Sequence, residues 1–354
     1  MDALRAIAAL AVFFSHIVGY WQLTDLPLRL PELLSLGAQG VDLFIVMSGF
    51  VLALPAFHAH RQLRNRNFLA RRAIRLLPSY YVALAFASVI ALSPAATWIV
   101  AERARPGDVA WHVVLLQTWN PERLGAINGS LWSVALEAQL YLTFPFLIFV
   151  CRRWGWVPLV VTTASVSILL THFDLPGFLG AALTDEHNLP VRLVQFSAGL
   201  ACAWIVTHQQ VPDRRLLWPM ALASGFLAVA WTTADLETGR AVVWALPCAA
   251  LILLVSGSAG GRLSITPLER WGLASYSFYL LHQPIVLIVG HLLRPQVPHD
   301  VAALLVGTAI ALPTTALAAW LLYVVVERPS HRYGKRHFSI FAAESVSSNA
   351  PPRP

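Results

Sequence analysis

Ten stretches of this sequence are each long and apolar enough to cross a bilayer core of roughly 30 Å. They run approximately over 3–23, 38–55, 73–93, 128–150, 155–172, 190–207, 216–233, 241–257, 272–292 and 301–326. Breaks rich in Pro, Gly or charge, such as Pro27–Pro31, Pro94, Pro121, Pro212 and Pro295–Pro298, separate them. Only 12% of the residues are charged and 57% are hydrophobic, whereas soluble domains carry about 25% charged residues. So few charges could not cover a soluble surface. The expected fold is therefore all-α: a polytopic membrane protein with about ten transmembrane helices. This domain is expected over residues 1–336, and 337–354, rich in Ser, Ala and Pro, is expected to be a disordered cytoplasmic tail.

The formal charge is +7, and Lys335 is the single lysine. In a soluble chain such a balance would suggest nucleic acid, but here the arginines fall between apolar runs, where they set topology. With ten spans and a cytoplasmic N-terminus, 18 of the 25 basic residues lie inside. They include Arg5, Arg61–Arg75, Arg152, Arg153, Arg214, Arg215, Arg262, Arg270 and the tail. Arg29, Arg103, Arg105, Arg123, Arg192, Arg240 and Arg294 lie outside. An odd number of spans would ruin this asymmetry, so both termini are expected in the cytoplasm of a multi-pass inner-membrane protein. The first run is no secretory signal. A histidine interrupts it and no small-x-small cleavage site follows. Its abrupt start fits a chain whose natural leader has been cut short. Cys151, Cys202 and Cys248 sit singly, with neither metal spacing nor a disulfide framework, so no metal is expected.

Ionisable groups at membrane depth mark functional sites by default. Arg5 and His16 are eleven positions apart, three turns plus roughly 20°, so they share a helix face about 16 Å apart along the axis. Glu137 lies about 12 Å below the outer end of the fourth run, at the level of His16. Asp42 falls near the outer end of the second run and His282 near the middle of the ninth. The plain alternative is that such groups only tie helices together by hydrogen bonds. Arg72 and Arg75, at i and i+3, share a face on which two guanidinium groups can clamp a phosphate. The loop arginines 61–66 read as ordinary inside charge, with lipid headgroups as partners. In the outer loop 94–127, Trp98, Trp111 and Trp119 suggest a helix lying on the membrane surface.

Six strings together resemble the acyltransferase-3 family of integral membrane O-acyltransferases. They are Asp2-Ala-Leu-Arg5 with His16; Gly40-Val-Asp42 through Ser48-Gly49-Phe50; and Phe68-Leu-Ala-Arg-Arg72-Ala-Ile-Arg75 with Pro78. The others are Ser130-Leu-Trp132-Ser133 through Glu137, Tyr141 and Pro145; Ser275-Tyr276-Ser277 through Tyr279, His282 and Pro284; and Val326-Glu327-Arg328-Pro329. The resemblance implies an enzyme that takes an acyl group, commonly acetyl, from cytoplasmic acyl-CoA. Its acceptor would be a hydroxyl of a cell-envelope glycan, a glycolipid or a related small molecule.

The resemblance places the family's Arg-x10-His pattern on Arg5 and His16, its Arg-x-x-Arg pattern on Arg72 and Arg75, and its membrane glutamate on Glu137. Ala3 and Ala6 replace the usual glycines, and Ala138 stands where a second acid is common. Arg5, Arg72 and Arg75 are thus expected to hold the acyl-CoA phosphates, while the pantetheine arm extends inward. His16 is expected as the general base, with Glu137 holding the imidazolium. Asp42, Ser48, Trp132, Tyr276 and His282 are expected to bind substrate. Direct transfer and an acyl-histidine intermediate both fit these residues. Buried Asp, Glu and His also suit a proton-coupled transporter or exporter of a lipid-linked or sugar substrate, although the paired broken halves of many transporters are not visible.

Overall fold

The computed structural model describes residues 1–58, 62–98, 104–173, 175–257 and 266–341. Ten apolar helices carry it: α1 (Asp2–Tyr20), α2 (Gly40–His58), α3 (Asn65–Ala91), α4 (Trp132–Trp154), α5 (Trp156–His172), α6 (Leu189–His208), α7 (Arg214–Thr233), α8 (Arg240–Ser256), α9 (Ser275–Leu293) and α10 (Asp300–Leu322). Each expected run coincides with one of them. α5 and α8 are the shortest, at 17 residues each. Among the described residues the only strand-like pairing is one bridge, Leu63 with Phe341. The protein is an all-α polytopic membrane protein. Arg61, Arg103, Arg262 and Arg353, with residues 342–354 of the expected tail, lie outside the described residues. Residues just before that stretch pair with the chain, since Arg64 N–H donates to the Ile340 carbonyl at 2.9 Å.

Side-chain pairs fix the direction of the helices. α1 and α9 run parallel: Phe13 meets Phe278, His16 meets His282, and Trp21 Nε1 donates to the Val286 carbonyl at 3.0 Å. α2 and α6 are also parallel, from Asp42 with Gln195 at one end to Phe57 with Trp204 at the other. α3 and α4 are antiparallel, Phe68 stacking on Phe144 while Arg72 lies over Tyr141. This alternation gathers Arg5, Arg72, Arg75, Arg152 and Lys335 at one end, the basic end of the bundle.

Local chemistry explains the breaks. Gly155 separates α4 from α5 at φ 85° and ψ 176°, a conformation open to glycine but strained for any residue with a Cβ. α2 and α6 cross at Gly49 and Gly199. A Cβ on either would strike the backbone of the other helix, so the two axes approach as small residues allow. Proline stands in the interior of seven of the ten helices, for example Pro145 and Pro284, beyond the first turn, a break that membrane helices tolerate.

The outer loop departs from expectation. In place of one surface helix it holds a helix over Pro106–Val113 and several 3-10 turns. Two of the three expected tryptophans serve the protein: Trp98 stacks on His291 at 4.8 Å, and Trp119 Nε1 donates to Gln139 at 3.2 Å. The Tyr80 and Tyr81 hydroxyls donate to the carbonyls of His112 and Val113 at 2.7 and 3.0 Å. Among the described residues of this loop the large apolar side chains left exposed are Val113, Val114 and Leu116. Asp108 is buried in the loop. Burial alone would raise its carboxyl, but the Arg105 N–H and the Arg123 guanidinium outweigh burial and hold it below the ordinary carboxylate range.

Candidate active site

A cavity of about 340 Å³ opens at the basic end, among α1, α2, α3, α4, α9 and the helix Arg328–His337. Its mouth is lined by Asp2, Arg5, Arg72, Arg75, Glu327, His331 and Lys335, and its inner part by Ser48, Ser133, Glu137, Tyr141, Tyr276 and Tyr279. The three expected arginines therefore share one wall. Arg5 Nη1 donates to Asp2 Oδ1 at 3.1 Å, one turn away. Arg72 is wedged between aromatic faces, its guanidinium carbon 5.5 Å from the Phe68 ring centroid and 5.8 Å from that of Tyr141. Its Nε is buried without a hydrogen-bond partner. Arg72 lines the cavity, and a lining guanidinium that keeps one buried donor unsatisfied is suited to an anion.

Sequence reasoning missed part of this mouth. Glu327, His331 and Lys335 stand at i, i+4 and i+8, one face of a helix; the sequence reading has Glu327 only in a family string and Lys335 only as inside charge, and it passes over His331. Glu327 ends a π-helical turn over Tyr323–Glu327 and accepts from Ser277 Oγ at 2.6 Å. Such turns are uncommon and concentrate at functional sites.

Deeper in, Glu137 Oε1 accepts hydrogen bonds from Ser48 Oγ at 3.2 Å and from the Tyr141 hydroxyl. The expectation that it holds His16 is overturned. α1 packs on α2 and α9, whereas α4 packs chiefly on α3, α5 and α6, so equal depth did not make these two groups neighbours. His16 instead meets His282. Its Nδ1 lies 2.8 Å from His282 Nε2, and the rings stack 4.9 Å apart, 13° from parallel. His282 Nδ1 lies 2.6 Å from the Tyr279 carbonyl oxygen. Both of its ring nitrogens are engaged, so the structure does not offer His282 as a substrate ligand. Ser133 and Tyr279 line the cavity, Ser133 Oγ donating to the Tyr279 hydroxyl at 2.9 Å, whereas His16 and His282 are not among its lining residues; the His282 ring lies 5.2 Å from the Tyr279 ring. His16 is half-buried, with the Tyr20 ring 5.0 Å away.

Two more expected substrate residues lie away from the cavity. Asp42 is 1% exposed and accepts from Arg192 Nη1 and from Gln195 Nε2, the latter at 2.8 Å, tying α2 to α6. Trp132 packs edge-on against His187 at 4.6 Å and under the Arg192 guanidinium at 5.5 Å. Both belong to a polar clamp at the end opposite the basic mouth. Ser48 and Tyr276 do line the cavity, Tyr276 through a ring whose hydroxyl donates to the Leu76 carbonyl at 2.9 Å.

A helical membrane bundle with a cationic cavity and, one aromatic ring away from it, an imidazole pair suits transfer chemistry between a charged donor and an acceptor. The family defined by its acyltransferase domain matches residues 1–324, and the chain belongs to this acyltransferase-3 family. It is similar to the acyltransferase MdmB of Streptomyces mycarofaciens, 27% identical over 99% of this chain and 96% of that protein. It also resembles the putative peptidoglycan O-acetyltransferase YrhL of Bacillus subtilis, 26% identical over 96% of this chain and 56% of YrhL. The peptidoglycan O-acetyltransferase OatA of Listeria monocytogenes is 23% identical over 94% of this chain and 56% of its own length. The chain thus spans little more than half of these two longer relatives. No solved structure matches. The protein is an acyltransferase, and this membership sets the enzyme reading above the transporter reading.

Proposed function

We propose that this protein transfers an acyl group, commonly acetyl, from acyl-CoA in the cytoplasm to a hydroxyl of a cell-envelope glycan, glycolipid or related small molecule, in the inner membrane. The observation that carries the reading is the cavity, which leads from unpaired Arg72 and its basic neighbours to within one aromatic ring of the histidine pair. The positive-inside asymmetry supports a mouth on the cytoplasmic side, where acyl-CoA is made. The names of YrhL and OatA support an envelope glycan as acceptor.

The donor set fits the donor. Arg5, Arg72, Arg75 and Lys335 supply guanidinium and ammonium groups for phosphates, and Arg72 keeps a buried N–H free. Along α1, Arg5 and His16 are about 16 Å apart, a span that an extended pantetheine arm covers. Glu137 accepts within that path and is placed to receive an amide N–H of the arm. With the thioester carried past the Tyr279 ring, His16 removes the proton of the acceptor hydroxyl as its oxygen attacks the thioester carbonyl. The C–O bond forms, and the C–S bond breaks with its electron pair on sulfur. The imidazolium returns the proton to the thiolate, giving the ester and CoA thiol.

The test is release of CoA thiol from acetyl-CoA by purified protein in nanodiscs supplied with native membranes as acceptor source. His16→Ala is expected to lower release by about 10²–10⁴-fold, the usual worth of a positioned base, with helicity and elution unchanged. A His16→Ala protein that transfers at the wild-type rate, or a wild type that neither binds nor cleaves acetyl-CoA, would refute the proposal.

A further inference from the structure

We propose that His282 is a positioning residue that fixes the tautomer of His16, making His16 Nε2 the atom that takes the acceptor's proton. The inference rests on the reading of His16 as base. It starts from a backbone carbonyl. Tyr279 O lies 2.6 Å from His282 Nδ1, and a carbonyl oxygen only accepts, so His282 Nδ1 carries a hydrogen. Across the helix interface, His282 Nε2 and His16 Nδ1 are 2.8 Å apart, a separation that requires one hydrogen between them.

Two placements of that hydrogen exist. On His282 Nε2 it would make His282 doubly protonated, a cation buried between Phe278 and Tyr279, where no carboxylate among the described residues bonds either imidazole. Burying an unpaired charge is costly. On His16 Nδ1 it leaves both rings neutral, with His282 Nε2 as acceptor. This second arrangement makes every contact with no charge, and it leaves the only lone pair of His16 on Nε2.

The consequence is mechanistic. When His16 Nε2 takes the hydroxyl proton, its Nδ1–H bond to His282 becomes charge-assisted and shortens the reach of the new charge. His282 then does for His16 what a carboxylate does in a Ser-His-Asp triad, orienting the ring and supporting the cation, but without a formal charge. The scaffold holds this register from above. Trp21, anchored on the Val286 carbonyl and seated against Gly290 and Gly307, keeps α1 level with α9.

Two measurements test it. Nitrogen-15 NMR of histidine-labelled resting protein, with His16 assigned by substitution, is expected to show His16 protonated on Nδ1 and His282 on Nδ1. Thiol release with acetyl-CoA and native membranes is expected to fall about 10²–10⁴-fold in kcat for His282→Leu, with KM for acetyl-CoA within about twofold. His282→Gln, which retains an oxygen acceptor for His16 Nδ1–H, is expected to recover at least about tenfold of that loss. A merely structural histidine would move KM and thermal stability together and show no such rescue. A resting His16 protonated on Nε2, or wild-type kcat in His282→Leu, overturns the inference. The NMR result needs no turnover and no variant of His282 that folds. The general-base reading falls separately, if His16→Ala remains active.

Discussion

Arg72 is the residue whose surroundings most need a ligand. Two aromatic faces support its positive charge, each within about 6 Å, but rings cannot accept its Nε hydrogen. If phosphate fills that gap, Arg72→Ala should raise KM for acetyl-CoA by about 10–100-fold, the worth of one or two charged hydrogen bonds. Arg72→Lys should recover part of it, because charge remains while the planar fork is lost. Steady-state kinetics decide, and an unchanged KM in Arg72→Ala would remove the phosphate from this site. The Arg5, Arg72 and Arg75 group was legible in the sequence because i, i+3 spacing and charge asymmetry both survive folding. The partner of His16 was not. Counting residues along a helix gives height, but not which helix stands alongside, so Glu137 was matched to His16 by depth when the neighbour was His282.

At the scale of elements, the ten spans could be read from apolar length alone, since a bilayer offers the backbone few other solutions. The contact between spans depends on features that periodicity hides, such as the paired glycines of α2 and α6. Gly199 faces the Val46 carbonyl and Gly49, so Gly199→Leu should force the helices apart. The expected cost is about 1–3 kcal/mol or more, read as a fall in thermal unfolding temperature in detergent. The outer loop was less legible because its tryptophans could serve lipid or protein equally well. Its Asp108 carboxyl, lowered in the fold by Arg105 N–H and Arg123, contributes stability that is fully present above the unfolded carboxylate pKa, near 3.8. That contribution is lost as pH falls through the lower folded value. Amide protection over 106–123, measured against the intrinsic exchange rate at each pH, should therefore fall below about pH 4. Asp108→Asn should exchange fast at pH 7 as well, having lost a charged pair worth about 1–3 kcal/mol. Equal protection in the variant and the wild type at neutral pH would contradict this account.

At the scale of the whole molecule, sidedness joins the cavity to its chemistry. Parallel and antiparallel pairs make the helices alternate, and the basic mouth gathers charge that the positive-inside rule sends to the cytoplasm. In the proposed reaction the direction of transfer depends on that assignment, because acyl-CoA is confined to the cell interior while an envelope acceptor is not. Cysteine labelling checks it on a quiet background, since Cys151, Cys202 and Cys248 are all buried. Glu122, in the outer loop, and Ser339, beyond the last helix, are both exposed and lie at opposite ends of the bundle. Neither lines the cavity. In spheroplasts a membrane-impermeant maleimide should label Glu122→Cys at once, and Ser339→Cys only after the membrane is opened. The reverse pattern would put the arginine cluster outside, away from any acyl-CoA. The cavity would then need a different anionic donor, although the family and the helix pairing would stand.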